Sequence, residues 1–335
     1  MDPVTHGLVG ASLSQSFADH SKFRVASLTG FVAAIFADAD VFISSASDPL
    51  LNLEIHRQFT HSFVIIPFGA LIVTVLLWWF VRKHLTFKEI YLFSLAGYAT
   101  AGIMDYFTSY GVHLLWPFID KRYAMDIISV FDPLFSTGVL ILTVLAFYKR
   151  QKLYSGLAMI WITGYLLFGF SQHRKALNTA EQIAIRNGHY IEQMVVKPTI
   201  ANQLLWSARY VSQQRIYSYG IHMNPFADPV IYKGESDSLL NWRSEFSSLK
   251  GTTLYKDIQR FSDLSDGYLI MHPDHENVIG DGRYSMLPTT LSPLWGISVD
   301  TTRPNQHVEF GTYRDANPEV RKTFIDMLMG KDSHQ

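Results

Sequence analysis

Long apolar runs fill the first half of this chain and give way to mixed polar sequence after about residue 170. A helix needs roughly 20 mostly apolar residues to cross the bilayer core. Four segments meet this length or come close to it: Val25–Ile43, Ser62–Val81, Glu89–Phe107 and Leu153–Phe170. Two shorter apolar segments are Leu134–Tyr148 and Pro3–Phe17. The pattern predicts a membrane all-α helical bundle of five or six transmembrane helices over residues 1–170, with a re-entrant or surface helix as the alternative for Pro3–Phe17.

The second half, residues 171–335, has the mixed charge and scattered Gly and Pro of a soluble domain. Turn signals such as Asp266-Gly267 separate short runs that favour strands. These runs are Met194–Ile200, Tyr210–Ile221, Tyr268–Met271, Gly296–Val299 and His307–Gly311, and Asn317–Met329 favours a final helix. We therefore expect a soluble α+β domain with an antiparallel sheet, and we find no catalytic motif in it.

The basic residues predict how the chain crosses the membrane. Alternate loops of the apolar half hold eight of them: Lys22, Arg24, Arg82, Lys83, Lys88, Lys149, Arg150 and Lys152. The other loops hold three, Arg57, Lys121 and Arg122, although Arg174 and Lys175 point the other way. By the positive-inside rule, the first set of loops is cytoplasmic. This predicts a multi-pass inner (plasma) membrane protein whose soluble C-terminal domain is periplasmic or extracellular.

Composition excludes several kinds of site and partner. The formal net charge is −1, so nothing global indicates a nucleic-acid partner. There is no cysteine, which excludes structural disulfides and thiolate ligands, so any metal must be held by imidazole and carboxylate. Met1-Asp2-Pro3 offers no basic region of the kind that opens a secretory signal, and we expect none here.

The ionisable residues near the apolar segments all fall at the predicted outer face. Such residues are costly in lipid and default to functional candidates. We predict a metal site formed by His6, Asp38, Asp40, His56, His61 and Asp105. Imidazole and carboxylate favour zinc, with manganese possible as a second choice. Asp38 and Asp40 lie two positions apart and point in different directions on a helix, so one of them is expected to be a direct ligand.

Three further residues are predicted to be catalytic. Arg57 would bind an anion such as a phosphate beside the metal. Asp126 or Asp132 would accept a proton from the attacking water. Each candidate also has a plainer interpretation: Asp132 precedes a proline and suits a helix cap, and Asp105 suits a helix end at the membrane interface.

Four strings carry a resemblance to a known family: Thr5-His6-Gly7, Ala37-Asp38-Ala39-Asp40, the run from His56 to Ser62, and the run from Asp105 to Gly111. In this order they resemble the YdjM type of membrane-bound metal-dependent hydrolases, also described as LexA-binding inner membrane proteins. The likeness covers residues 1–170. The family's acidic pair usually follows Leu-Pro, where this chain has Phe36 and Ala37. The resemblance implies a hydrolase and hints at LexA as a partner, for which the residues themselves give no support.

The location of the polar groups selects among functions. We favour metal-assisted hydrolysis at the outer bilayer face, acting on a phosphoester of a lipid or lipid-linked substrate. A transporter or sensor that uses the buried acids as a proton or cation relay is one alternative, and a scaffold with a structural metal is another. Transporters usually hold such groups near the midplane between two similar halves. The groups here lie at one face and no internal repeat is visible, which favours the enzyme.

Overall fold

A computed structural model describes residues 1–331 of the chain. The chain forms two compact units. Unit 1 comprises Met1–Ile43, Ile55–Ser171 and Ile200–Asn202. Unit 2 comprises Ser44–Glu54, Gln172–Thr199 and the chain from Gln203 onward. A short early segment, residues 44–54, is therefore part of the later unit.

Unit 1 is helical. Its helices are α1 (Pro3–Phe17), α2 (Phe23–Phe36), α4 (Ile66–Val81), α5 (Phe87–Phe107), α6 (Pro133–Lys149) and the first part of α7 (Lys152–Arg186); α3 (Leu51–Ile55) lies mainly in unit 2. The 3-10 turn Ala37–Phe42 follows α2. Local sequence sets the helix starts: Asp2 and Asp132 cap helices that open with proline, and Thr86 forms a capping box with Glu89.

The prediction of five or six transmembrane helices is wrong. Within residues 1–331, two helical stretches are long and apolar enough to cross a membrane: Phe23–Phe42, which joins α2 to the 3-10 turn, and α7. The helices α1, α4 and α6 have 15, 16 and 17 residues. At about 1.5 Å per residue these reach roughly 22–26 Å, short of a bilayer core of about 30 Å. The 21-residue α5 is long enough, but it carries charged residues at both ends and is not among the sufficiently apolar helices.

Close backbone contacts at glycine residues join three helices of unit 1, namely α1, α2 and α5. A Cβ added to Gly97 of α5 would lie well within 3 Å of the carbonyl oxygen of Gly30 in α2. A Cβ on Gly10 of α1 would lie 2.7 Å from the same oxygen. The backbones of α1, α2 and α5 therefore meet directly at these positions, as small residues allow helices to do. Beside them, Ser12 of α1 hydrogen-bonds Thr143 of α6 over 2.6 Å.

Unit 2 contains two four-stranded antiparallel sheets. The first has the order β1 (Gln193–Pro198), β2 (Leu205–Ser212), β3 (Arg215–His222) and β4 (Val230–Ser238). The second has the order β5 (Leu269–Met271), β6 (Val278–Asp281), β7 (Trp295–Ser298) and β8 (Glu309–Thr312). Besides most of α3 and the second part of α7, its helices within residues 1–331 are α8 (Trp242–Glu245), α9 (Thr253–Leu264) and α10 (Pro318–Leu328).

One predicted strand is in fact a hairpin. The run Tyr210–Ile221 turns at Gln213 and Gln214, which take φ values of 51° and 58° and connect the paired residues Ser212 and Arg215. Two residues with positive φ fit the twist of a tight hairpin. Glutamine is not a residue that signals such a turn, so the apolar alternation hid it.

A conventional hydrophobic core lies between α9 and the second sheet. Leu50, which is fully buried, belongs to it together with Trp242, Ile258 and Phe261. The segment 44–54 is also held by charge: Arg260 of α9 contacts three carboxylates, those of Asp48, Glu54 and Asp257, at 2.7–3.1 Å.

Candidate metal centre

Two histidines and two aspartates from four places in unit 1 meet in one buried cluster, called the inner cluster below: His6, Asp38, His61 and Asp105. His6 Nδ1 donates to Asp38 Oδ2 over 3.0 Å, and its Nε2 lies 3.2 Å from Asp105 Oδ1. His61 Nε2 lies 3.3 Å from Asp38 Oδ1 and 3.3 Å from Asp105 Oδ2. The four residues come from α1, the 3-10 turn, the turn before α4, and the last turns of α5.

Gly102 fixes the approach of His61 to Asp105. A Cβ at Gly102 would lie 2.6 Å from the carbonyl oxygen of His61. Gly102 precedes Asp105 by about one turn of α5, so both residues face the same neighbour. The missing side chain thus lets the His61 backbone lie against the helix beside the Asp105 carboxylate.

Asp40 organises the loop that carries the second histidine. Its carboxylate accepts hydrogen bonds from the Arg57 backbone N–H at 2.8 Å and the Thr60 hydroxyl at 2.5 Å, and from His56 Nδ1 at 2.8 Å. Thr60 Oγ1 in turn lies 2.9 Å from His61 Nδ1. Both oxygens of Asp40 are therefore engaged with this loop, and of the acidic pair it is Asp38 that faces the inner cluster.

Arg57 brings a positive charge to the edge of the inner cluster. Its Nε forms an ion pair with Asp105 Oδ2 at 2.8 Å, and the guanidinium lies over the Tyr110 ring at 5.9 Å. The side chain is buried, and within residues 1–331 its Nη1 has no hydrogen-bond partner. The backbone of Arg57 is left-handed, with φ of 63°, which is uncommon for a residue with a side chain. An unpaired N–H of this kind is a donor for an anionic oxygen.

The carboxylates of the inner cluster hold positive charge strongly. Burial by itself lowers the pKa of His61, but the Asp105 and Asp38 carboxylates outweigh it and raise the pKa to about 9. The amino group of Met1 also contacts Asp105. The two carboxylates therefore stabilise positive charge on the groups that contact them.

The residues present fit a divalent metal ion. Four buried atoms of the inner cluster make no hydrogen bond of normal geometry within residues 1–331, although each lies 2.8–3.3 Å from an oppositely charged group: His6 Nε2, Asp38 Oδ1, His61 Nε2 and Asp105 Oδ2. One ligand atom each of His6, Asp38 and Asp105 lies within 4.8 Å of the others. Buried polar atoms are rarely left unpaired, and converging imidazole nitrogens and carboxylate oxygens are the donors that zinc and manganese accept.

The family whose motif is described as YdjM inner membrane protein matches residues 1–176, more than half of the chain. The chain belongs to this family. The resemblance seen in the sequence strings is thereby confirmed, and YdjM membership supports a membrane location. The uncharacterized protein YfhP of Bacillus subtilis (strain 168) is similar, with 32% identity over 78 residues. Those residues are 23% of this chain and 24% of YfhP, so the likeness spans about a quarter of that relative. No solved structure matches the chain significantly.

The two aspartates predicted as proton acceptors lie elsewhere in this YdjM-family protein. Asp132 caps α6: it accepts from the Phe135 N–H at 3.1 Å and from the Tyr165 hydroxyl at 2.8 and 2.9 Å. Asp126 lies in the loop before α6, half-buried, with φ of 54°. Neither belongs to the group whose ligand atoms converge. Their catalytic role stays a prediction.

Sequence reasoning missed Gly102, because glycine is common in membrane helices and carries no signal of its own there. His56, predicted as a metal ligand, donates Nδ1 to Asp40 outside the inner cluster, and its role as a ligand stays a prediction. The spacing of His56 and Asp40, 16 residues apart, gives no hint of this pairing. Only the closed loop between them brings the two together.

Proposed function

We propose that this protein is a membrane-embedded metal-dependent hydrolase that acts at the outer bilayer face on a phosphoester of a lipid or lipid-linked substrate. The observation that carries the proposal is the set of buried imidazole nitrogens and carboxylate oxygens that converge in the inner cluster without hydrogen bonds of normal geometry. Buried polar atoms usually make such bonds, so this set favours an ion that binds them. Family membership supports the membrane location but does not bear on the reaction.

The inner cluster would hold the metal through His6, Asp38, His61 and Asp105. Zinc suits this mixed nitrogen and oxygen set, and manganese is the second choice. When bound, such an ion lowers the pKa of a coordinated water and polarises an ester oxygen. Asp40 would stay outside the ligand set, because both of its oxygens already hold the loop from His56 to Thr60.

Arg57 and His56 supply the remaining parts of a hydrolytic site. The free Nη1 of Arg57 would bind an anionic oxygen of the substrate beside the inner cluster. The His56 side chain is about one-third exposed and donates Nδ1 to Asp40, which leaves Nε2 to accept a proton. A carboxylate that fixes the tautomer of a histidine in this way is a common feature of general bases. We therefore assign proton transfer to His56 rather than to Asp126 or Asp132.

The orientation in the membrane follows from the two ends of unit 1. The inner cluster lies at the starts of α1 and α4 and the end of α5. The opposite end carries most of the basic residues, including Lys22, Arg82 and Lys149. The positive-inside rule favours a cytoplasmic basic end, and hence a metal site at the outer face. Because α7 begins at the basic end, the chain beyond it would be extracytoplasmic.

Elemental analysis of detergent-purified protein tests the proposal. We expect zinc or manganese in the wild type, together with phosphodiesterase activity toward bis(p-nitrophenyl) phosphate. The variants His61→Ala and Asp105→Ala should lose both the metal and the activity. His84→Ala is the matched control, because His84 is exposed at the basic end, and it should keep both. Loss of metal with unchanged activity would identify a structural ion and contradict the hydrolase. A wild type without bound metal would contradict the whole proposal.

A further inference from the structure

The loops at the two ends of unit 1 differ in character. At the end that holds the inner cluster, three short segments outside the α-helices expose apolar side chains: residues 41–43, at the end of the 3-10 turn, and residues 63–64 and 115–119. Phe42 is 85% exposed and Phe118 is 81% exposed. At the other end, the connections carry charged residues instead, and Lys22 and Glu89 pair there at 2.5 Å. Exposed apolar side chains at that end, such as Phe17 and Phe80, lie on helices, so the two ends differ in their loops rather than in their helices.

These three segments, called the apolar collar below, are tied directly to the backbone of the site. Ile43 donates its N–H to the carbonyl oxygen of Asp40, and His113 donates to that of Arg57 over 3.1 Å. Phe63 donates to Leu114 over 3.0 Å. Each apolar segment thus follows, or is bonded to, a segment that carries Asp40, Arg57 or His61.

Water is an unfavourable surrounding for such a surface. Burying a large apolar side chain is favourable relative to leaving it exposed to water. Contiguous exposed apolar patches mark a protein interface, a ligand groove or a membrane contact. Two observations select the membrane here. The chain belongs to an inner membrane protein family, and residues 63–64 continue without a break into α4, whose exposed residues Phe68, Leu71 and Ile72 are also apolar.

We propose that the apolar collar inserts into the acyl-chain layer of the bilayer leaflet at the site end, so that the inner cluster lies below the level of the lipid headgroups. A lipid could then present its phosphate to Arg57 while its acyl chains stay among those of the leaflet. The insertion itself does not depend on the proposed hydrolysis, because it follows from the exposed loops, from their continuity with α4 and from the membrane location of the family. With the collar inserted, bilayer lipid surrounds the site and is the class of molecule that reaches it.

The absence of cysteine from the chain allows a direct test by spin labelling. Phe118→Cys and Phe42→Cys are each labelled with a nitroxide in the full-length protein, in vesicles of phosphatidylethanolamine and phosphatidylglycerol. Phe226→Cys is the matched control, because Phe226 is 97% exposed in unit 2. Power saturation measures how often each label collides with oxygen, which partitions into lipid, and with a water-soluble nickel chelate.

We expect the labels at 118 and 42 to collide several-fold more with oxygen than with the chelate, and the label at 226 to show the reverse order. Labels at 118 and 42 that are as accessible to the chelate as the label at 226 would place the collar in water and overturn the proposal. Labels that neither reagent reaches would indicate a protein interface and would overturn it as well. A size-exclusion profile unchanged from the wild type establishes that each labelled variant is folded.

Discussion

Between α1, α2 and α5 the interior of unit 1 leaves no room for a single added Cβ at Gly30 or Gly97, whereas the core of unit 2 is filled by side chains as large as Trp242 and Phe261. At these glycines of unit 1 the helix backbones contact each other directly. A similar close contact at Gly102 sets the position of His61. In unit 2 position is set by side-chain volume and by the ion pairs of Arg260. The inner cluster therefore lies in the unit whose helix contacts leave the least room for an added atom.

The largest effect should follow from adding one methyl group between the helices of unit 1. Gly97→Ala places a Cβ against the Gly30 carbonyl, a backbone atom that cannot rotate away. We expect a loss of about 1–3 kcal/mol or more in the free energy of unfolding, measured by thermal denaturation in detergent. Gly164→Ala is the matched control, because nothing lies within 4 Å of its Cβ position in α7. Helix propensity should make it neutral or stabilising by up to about 1 kcal/mol, and equal losses in both variants would refute the packing argument.

The same addition at Gly102, beside the site, separates an effect on site geometry from an effect on stability. Gly102→Ala pushes the His61 carbonyl away from α5, so the His61 ring loses its place beside Asp105. Residues that support metal ligands typically contribute 10–100-fold to affinity, and we expect a loss on the order of tenfold in zinc affinity. A competition titration with a chromophoric chelator measures it. Zinc affinity equal to that of the wild type would show that His61 does not depend on this contact.

In unit 2 the comparison predicts sensitivity to charge. Arg260→Ala leaves three carboxylates together without their cation. We expect a loss of about 2 kcal/mol in the free energy of unfolding, followed by tryptophan fluorescence in denaturant. Arg303→Ala removes an exposed pair with Asp300 and should cost less than about 1 kcal/mol. A loss in Arg303→Ala as large as that in Arg260→Ala would contradict this assignment.

The loss of stability caused by Arg260→Ala should depend on pH. Partial burial raises the pKa of Asp48, but the Arg260 guanidinium outweighs it and holds that pKa below its ordinary value. A lowered carboxyl pKa contributes stability above the unfolded value of about 3.9, and this contribution is lost as the pH falls through the folded value. The difference between wild type and Arg260→Ala should therefore shrink below about pH 4. A difference that stays constant down to pH 3 would argue that lost packing, and not charge, causes the effect.

The smallest effect concerns the polar contacts of unit 1. Thr143→Val removes the hydroxyl that bonds Ser12. Hydrogen bonds between membrane helices contribute about 0.6 kcal/mol on average. A double-mutant cycle with Ser12→Ala should give a coupling of that size. A coupling above about 2 kcal/mol would mean that polar bonds, as well as glycine contacts, hold these helices together.

The sequence predicted which distant residues meet better than it predicted the helices that bring them together. The six predicted metal residues include Asp40 and His56 besides the four of the inner cluster, and all six share one predicted membrane face. The cost of placing such groups in lipid is a property of residue type and position along the chain. The number of spans failed because an apolar run counts residues that are not helical. Residues 62–65 precede α4, so the predicted segment Ser62–Val81 contains a helix of only 16 residues. Helix length decides a span, and turns inside apolar runs carry no polar signal.

The roles within the site were also beyond the sequence. Asp40 and Asp38 have the same chemistry and nearly the same position, and only the Arg57 and Thr60 donors direct Asp40 to the loop. Asp132 shows the opposite case, because a carboxylate before proline is a recognisable cap and the structure contains that cap. A local cap can therefore be assigned from neighbouring residues. The individual hydrogen-bond partners of Asp38 and Asp40, which lie more than a dozen residues away, cannot.

The segment 44–54 has a consequence for the order in which the protein is made. Glu54 and its partner Arg260 are 206 residues apart in the chain. Ribosomes add about 5–20 residues per second, so Glu54 is synthesised roughly 10–40 s before Arg260 exists. Throughout that interval Leu50 has none of α9 to pack against. Unit 2 can close its core only near the end of translation, and until then Leu50 lacks the partners that bury it in the folded protein.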